Sequence, residues 1–134
     1  MKFSWPVRVY YEDTDSGGVV YYANYLKFFE RARTEFLRQY GIEQDQLIAA
    51  ENVIFAVRKI TADYLKPAQF NDLLTVDSEI TVIKKASLVF SQKILRADEV
   101  CCQAECKIAC LTADTLKPRK IPQHIFDAIC VYDS

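Results

Sequence analysis

This sequence predicts an α+β fold: a five-stranded antiparallel sheet wrapped around one long helix. Three observations carry the prediction. One strongly apolar segment with helical spacing lies near the N-terminus, and four strand-like segments follow it with only short turns between them. The chain has 134 residues, which suits a single domain spanning 1–134 with one core, so helix and sheet must cover each other.

Pro6 to Tyr11 reads as a short strand on its β-branched and aromatic content. Asp13 to Gly18 reads as a loop in which Gly17 and Gly18 can adopt positive φ. From Ala23 to Tyr40 the spacing predicts the long helix, because Tyr22, Tyr25, Leu26, Phe29, Ala32, Phe36, Leu37 and Tyr40 recur at three- and four-residue steps. Phe28 widens this stripe, and a helix so apolar should be heavily buried. Gly41 suits its C-terminal stop. Glu30, Arg31, Arg33, Glu35 and Arg38 must occupy the remaining face or form ion pairs.

Gln44 to Ala50 is a candidate second helix. Val53 to Leu65 is strand-like, and its alternation shifts by one residue between Val57 and Ile60, which predicts a bulge. Pro67 and Asn71-Asp72 mark a turn. Leu74 to Val82 alternates cleanly, Ala86 to Arg96 less so, and Cys102, Ala104, Cys106, Ile108 and Cys110 form the clearest inward-facing set. Lys84-Lys85 and Ala97-Asp98-Glu99 look like hairpin connections. A short amphipathic helix from Pro122 to Val131 is expected to close the chain, with Pro122 in its first turn.

Composition narrows the function. Hydrophobic residues make up 51% and charged residues 26%, the balance of a globular domain. A net charge of −1 argues against a nucleic-acid binder driven by bulk charge, but allows a local basic patch for a phosphorylated ligand. No apolar run has signal-peptide or membrane-spanning length, so no integral membrane segment is expected and the cytoplasm is the default location. Four of the five cysteines crowd into 101–110, which suggests a metal site. Strand geometry opposes it: residues four apart are separated by ~13 Å, too far to share one zinc ion. Small buried thiols are expected instead.

With His124 as its one histidine, the chain has no Gly-x-Ser-x-Gly elbow and no His-Glu-x-x-His pattern. Ser16-Gly17-Gly18 lacks the spacing and lysine of a nucleotide-binding loop. His124 is expected to be a solvated helix residue. The most informative stretch is 11–25, which sets Glu12, Asp13 and Asp15 just before a glycine pair and a helix start. Helix N-termini present unpaired N–H groups and partial positive charge. A carboxylate and a set of backbone donors are thus brought together, suited to attack on a carbonyl whose oxygen is held by hydrogen bonds. Asp15 can equally cap the turn or the helix, and Asp13 reads as structural.

The chain resembles the acyl-CoA thioesterases of the hotdog, 4-hydroxybenzoyl-CoA thioesterase-like superfamily. Within it, the chain is most similar to the branch associated with the Tol-Pal cell-envelope system. The matching pieces are 7–15, 17–21, 29–35, Val57-Arg58-Lys59, Asp63-Tyr64, Pro67-Ala68, 87–90 and Lys117-Pro118-Arg119, spread over nearly the whole chain. The resemblance implies hydrolysis of acyl-CoA to a free acid and CoA without cofactor or metal. It maps the catalytic aspartate onto Asp15 and the oxyanion-binding backbone N–H onto Tyr22. It also implies dimers joined edge to edge, often tetramers, with sites at the subunit interface.

That branch usually carries histidine at the position of Tyr22; other members of the superfamily carry tyrosine there, as this chain does. The backbone N–H survives the exchange; an imidazole role does not. Asp15 fits either a nucleophile or a general base on water. Lys84, Lys85, Lys117, Arg119 and Lys120 are candidates for the CoA phosphates, and Glu30 and Glu35 for an ion-pair network or a role in positioning water or Asp15. An acyl carrier protein thioesterase and a non-catalytic acyl-binding module remain the alternatives.

Overall fold

The computed structural model describes residues 2–131. Its elements are β1 (Phe3–Arg8), a 3-10 turn (Tyr11–Asp13), α1 (Tyr22–Gln39), α2 (Gln44–Glu51), β2 (Val53–Tyr64), β3 (Leu73–Ile83), β4 (Ser87–Arg96), β5 (Glu99–Thr112) and α3 (Gln123–Val131). All neighbouring strands pair antiparallel, in the order β1-β3-β4-β5-β2.

The apolar stripe of α1 becomes the centre of the fold. Phe28, Phe29, Ala32 and Phe36 are at most 3% exposed. Burying each phenylalanine contributes about 1.5–3 kcal/mol. The first half of the helix packs on Leu74, Val76, Ile94, Cys102 and Ala104. Its second half packs on Ile80, Leu88, Phe90, Cys106 and Ile108, a cluster that α3 closes with Ile125 and Ile129. Gly41, at φ 80°, ends the helical run as expected.

Three expectations are corrected. The first strand is Phe3–Arg8 rather than Pro6 to Tyr11. Pro6 sits inside it because β1 is an edge strand bonded only to β3, so a missing N–H costs no ladder bond when it faces outward. Tyr10 leaves the strand because its N–H donates to the Asp13 carboxylate at 2.8 Å, which winds the chain into the 3-10 turn. Second, the turn at 67–72 does not join neighbouring strands. β2 lies at the far edge beside β5, and the 65–72 connection passes the ends of β5 and β4 before β3 begins. The N–H groups of Leu65 and Lys66 both donate to the Cys101 carbonyl on the way, at 2.9 and 3.0 Å. The bulge in β2 falls between Val57 and Lys59.

Third, the charged face of α1 divides. Arg38 pairs with Glu35 at 2.5 Å and Glu43 at 3.2 Å on the surface. Arg33 instead turns inward, 7% exposed, and donates to Gln92 Oε1 at 3.1 Å. Burial pushes its pKa down. Gln92, 1% exposed, donates in turn to the Phe29 carbonyl at 3.0 Å and to Ser78 Oγ at 2.9 Å. One glutamine therefore ties α1 to β3 and β4 through a polar link that the apolar core surrounds. Replacing Gln92 with alanine leaves Arg33 and the Phe29 carbonyl buried without this partner. Denaturant unfolding of Gln92→Ala should show a loss of about 2–4 kcal/mol, well above that of an exposed substitution such as Gln123→Ala.

Candidate active site

The site is built where residues 10–21 deliver the chain into α1. Asp13 is the structural anchor of this loop. Its carboxylate takes the Tyr10 N–H, and its carbonyl accepts from the Tyr21 N–H at 3.0 Å and from Asn24 Nδ2 at 2.9 Å. Inside the bracket the Asp15 N–H donates to the Val19 carbonyl at 2.9 Å, and the Gly18 N–H donates to the Asp15 carbonyl at 3.1 Å. Gly18 sits at φ 80°, a conformation that side chains other than glycine's rarely adopt. Asp15 is exposed, and its Oδ1 accepts the Gly17 N–H at 2.8 Å. One carboxylate oxygen is thereby oriented, while the group stays open to solvent.

Tyr22 is the first residue of α1, and no side chain caps this end of the helix. The Asn24 N–H is spent on the Tyr21 carbonyl at 2.8 Å. The Tyr22 and Ala23 N–H groups precede the first intrahelical donor and remain available to a ligand. Sequence places Asp15 and Tyr22 at the two ends of one short loop, and the fold holds that loop closed.

A shallow cleft of about 250 Å³ opens beside this helix end, lined by Val20, Tyr22, Tyr25, Tyr64, Lys66 and Pro67 among others. Tyr64 from β2 meets Tyr22 edge-on at 6.0 Å between ring centroids and Tyr25 at 5.7 Å. Burial pushes the phenol pKa values of Tyr25 and Tyr64 up, so neither ionises near neutral pH. Leu65, Lys66 and Pro67 of the 65–72 connection line the cleft as well. Tyr25 Oη accepts the Ala68 N–H at 3.0 Å, and the Ala68 carbonyl accepts the Val20 N–H at 2.8 Å. Arg96 holds the same segment by donating to the Pro67 carbonyl at 3.1 Å and pairing with Asp72 at 3.0 Å and with Glu99. Its carboxylate partners raise the Arg96 pKa, and Arg96 together with Lys66 lowers that of Glu99.

The sequence shows no sign of this support. Tyr25 reads only as part of the helical stripe, while Arg96 and Ala68 lie far from Asp15 along the chain. Asn24 is legible only as a polar residue in the first turn of a helix.

The other candidates lie elsewhere. Glu30 accepts from Thr34 Oγ1 at 3.2 Å, and its position eight residues after Tyr22 puts it ~12 Å further along the helix axis. Glu35 belongs to the Arg38 surface pair. His124 is exposed as expected, and it pairs with Glu51 of α2 at 2.9 Å. Cys101, Cys102, Cys106 and Cys110 are buried thiols, and burial pushes the Cys102 pKa up to about 12. No side-chain group able to hold a metal ion occurs among the described residues. No helix among them is long and apolar enough to cross a membrane.

The basic residues converge more closely than their sequence positions suggest. The Ile121 N–H donates to the Lys85 carbonyl at 2.8 Å, and Leu111 bridges to Pro118. The 117–121 segment therefore lies beside the Lys84-Lys85 turn, with Lys84, Lys85, Lys117 and Lys120 exposed.

A five-stranded antiparallel sheet packed on one long central helix is the hotdog fold. Within that class the chain belongs to the thioesterase-like superfamily, whose model matches residues 9–129. It is similar to the acyl-CoA thioester hydrolase YbgC of Escherichia coli O157:H7, with 49% identity over 124 residues covering 92% of each chain. Similarity to the acyl-CoA thioesterase YbgC of Haemophilus influenzae is 44% over 123 residues, covering 92% of this chain and 90% of that one. Among solved structures, a probable thioesterase from Bartonella henselae matches with a TM-score of 0.87 at 36% identity, covering 91% of this chain and 100% of the other. A 1,4-dihydroxy-2-naphthoyl-CoA thioesterase from Synechocystis shares the fold with a TM-score of 0.91 at 24% identity, covering 100% and 99%.

A methyl group on Gly17 would lie 3.2 Å from Asp15 Oδ1, closer than ordinary contact. Gly17→Ala should displace the carboxylate without unfolding the loop. The expected result is a circular dichroism melt close to that of wild type, and a loss of about tenfold or more in any turnover that depends on the position of Asp15.

Proposed function

We propose that this protein hydrolyses acyl-CoA thioesters to a free acid and CoA, with Asp15 as the reacting carboxylate and the Tyr22 backbone N–H as oxyanion donor. The observation that carries this reading is the loop itself: Asp13 ties its two ends together, with Asp15 inside it and an uncapped helix N-terminus at its exit. Family membership supports it.

Two routes fit. In one, an Asp15 oxygen attacks the thioester carbon, the C–S bond breaks, and thiolate leaves a mixed anhydride that water then cleaves. In the other, Asp15 takes a proton from water as the water oxygen attacks the same carbon; the C–S bond breaks, and the proton leaves with the thiol. Both develop negative charge on the carbonyl oxygen, where the N–H groups and the helix dipole stabilise it. Tyr22 contributes its backbone, and its ring walls the cleft together with Tyr64.

The exposed lysines beside the Lys84-Lys85 turn suit the phosphates of CoA. β2 bonds to β5 alone and leaves its other edge open, which suits pairing with a second copy. The homo-oligomer, dimeric or tetrameric, would set each site at a subunit interface and give the basic residues a route to CoA from a neighbouring chain. The cellular context in this reading is the cytoplasmic side of the Tol-Pal system.

Thiol release from a panel of acyl-CoAs tests the proposal. Asp15→Asn should lose about 10²–10⁴-fold in kcat. Equal turnover in both proteins would overturn the role of Asp15. A wild-type protein inert on every acyl-CoA would overturn the substrate and point to acyl carrier protein or to binding alone. Replacing Lys84 and Lys85 together with alanine should raise KM for acyl-CoA severalfold, an effect that weakens with added salt. The KM for the matching acyl-pantetheine, which lacks the nucleotide phosphates, should stay unchanged.

A further inference from the structure

We propose that Asn24 is a positioning residue for this reaction, acting through the Asp13 carbonyl to fix Asp15 relative to the Tyr22 N–H; the inference rests on the catalytic reading of Asp15. Asn24 is the α1 side chain that bonds back to the loop. Its Nδ2 reaches the Asp13 carbonyl at 2.9 Å, and the Tyr21 N–H reaches the same oxygen at 3.0 Å. Asp13 precedes Asp15, and Tyr21 precedes Tyr22. The two bonds therefore close the loop immediately outside both reacting positions.

Backbone bonds shape the loop itself, Asp15 to Val19 and Val20 to Ala68, with a bridge between Thr14 and Val20, and the Asn24 amide adds a side-chain bond from α1. Glu12, Asp15, Ser16, Gly17 and Gly18 are all exposed, so burial contributes nothing to their placement. The Asp13 carboxylate is already taken by the Tyr10 N–H. The amide of Asn24 thus ties an exposed segment to the helix that carries the proposed oxyanion donor.

The choice of residue supports a specific role. Asn24 is the third residue of α1, where the helix dipole favours an acid and where asparagine is a modest helix former. A carboxylate at this position cannot donate to a carbonyl, whereas the amide can. The position forgoes the better helix residue and keeps the donor.

The experiment measures kcat, KM and Tm for wild type, Asn24→Ala, Asn24→Asp, Asp15→Asn and the Asp15→Asn/Asn24→Ala double variant. Asn24→Ala and Asn24→Asp should each lose about tenfold or more in kcat with KM within about twofold, because misplacement of the reacting group costs rate rather than binding. Tm should stay within about 4 °C. Asn24→Asp guards the test, since its carboxylate suits the helix end even if Asn24→Ala folds poorly. On the Asp15→Asn background the Asn24 loss should largely vanish, because a positioning residue has nothing left to position.

Full turnover in Asp15→Asn would overturn the catalytic reading itself. An impaired Asp15→Asn beside an Asn24→Ala at the wild-type rate would overturn only the present inference. So would an Asn24 loss that persists undiminished in the double variant, or a kcat loss in Asn24→Asp accompanied by a large fall in Tm.

Discussion

Helix α1 can settle on the sheet only where its one buried charged side chain, Arg33, finds a partner, and Gln92 supplies it. Arg33 lies within the buried face of the helix, between the two apolar clusters. Burying that guanidinium costs free energy unless it is hydrogen-bonded. Gln92 accepts from it and donates to the Phe29 carbonyl of the same helix, so the helix cannot slide along the sheet without breaking both bonds. Apolar packing is tolerant of small shifts; this link is not. It sets the position of α1, and with it the position of the helix start that forms half of the site.

From that fixed helix the site is assembled by backbone hydrogen bonds more than by side-chain packing. Tyr25 and Arg96 steady the 65–72 connection from beneath, the connection holds Val20, and Asp13 locks the loop to Tyr21. The Asp15 carboxylate sits at the end of this chain of supports, yet remains in solvent. A buried acid would pay for its charge in lost hydration; an exposed acid on a held loop keeps its charge and its position together.

The elements with strong periodicity were legible in the sequence. Alternation along Cys102 to Cys110 and the helical recurrence from Tyr25 to Tyr40 each report burial on one face, which depends on local spacing alone. Asp15 and the glycine pair were legible for a similar reason, because acid, turn and helix start follow one another along the chain. What depends on remote partners was not. The start of β1 depends on its pairing with β3, and the place of β2 at the sheet edge on its pairing with β5. Arg33 looks like any other charge on the helix until Gln92, far along the sequence, turns out to face it. Tyr25 likewise reads as core, although its hydroxyl holds Ala68.

The bare start of α1 also limits how this protein can be stabilised. A serine or aspartate at the residue before a helix typically adds about 1 kcal/mol by accepting a first-turn N–H. Tyr21 makes no such bond. Introducing a cap there is a routine engineering step toward a more heat-resistant protein. In this fold the added oxygen would take the Ala23 N–H, next to the Tyr22 N–H that the proposed reaction uses. A cap would place a side chain at the mouth of the cleft, so stabilising changes are better sought at the opposite pole of the molecule, around α2 and α3.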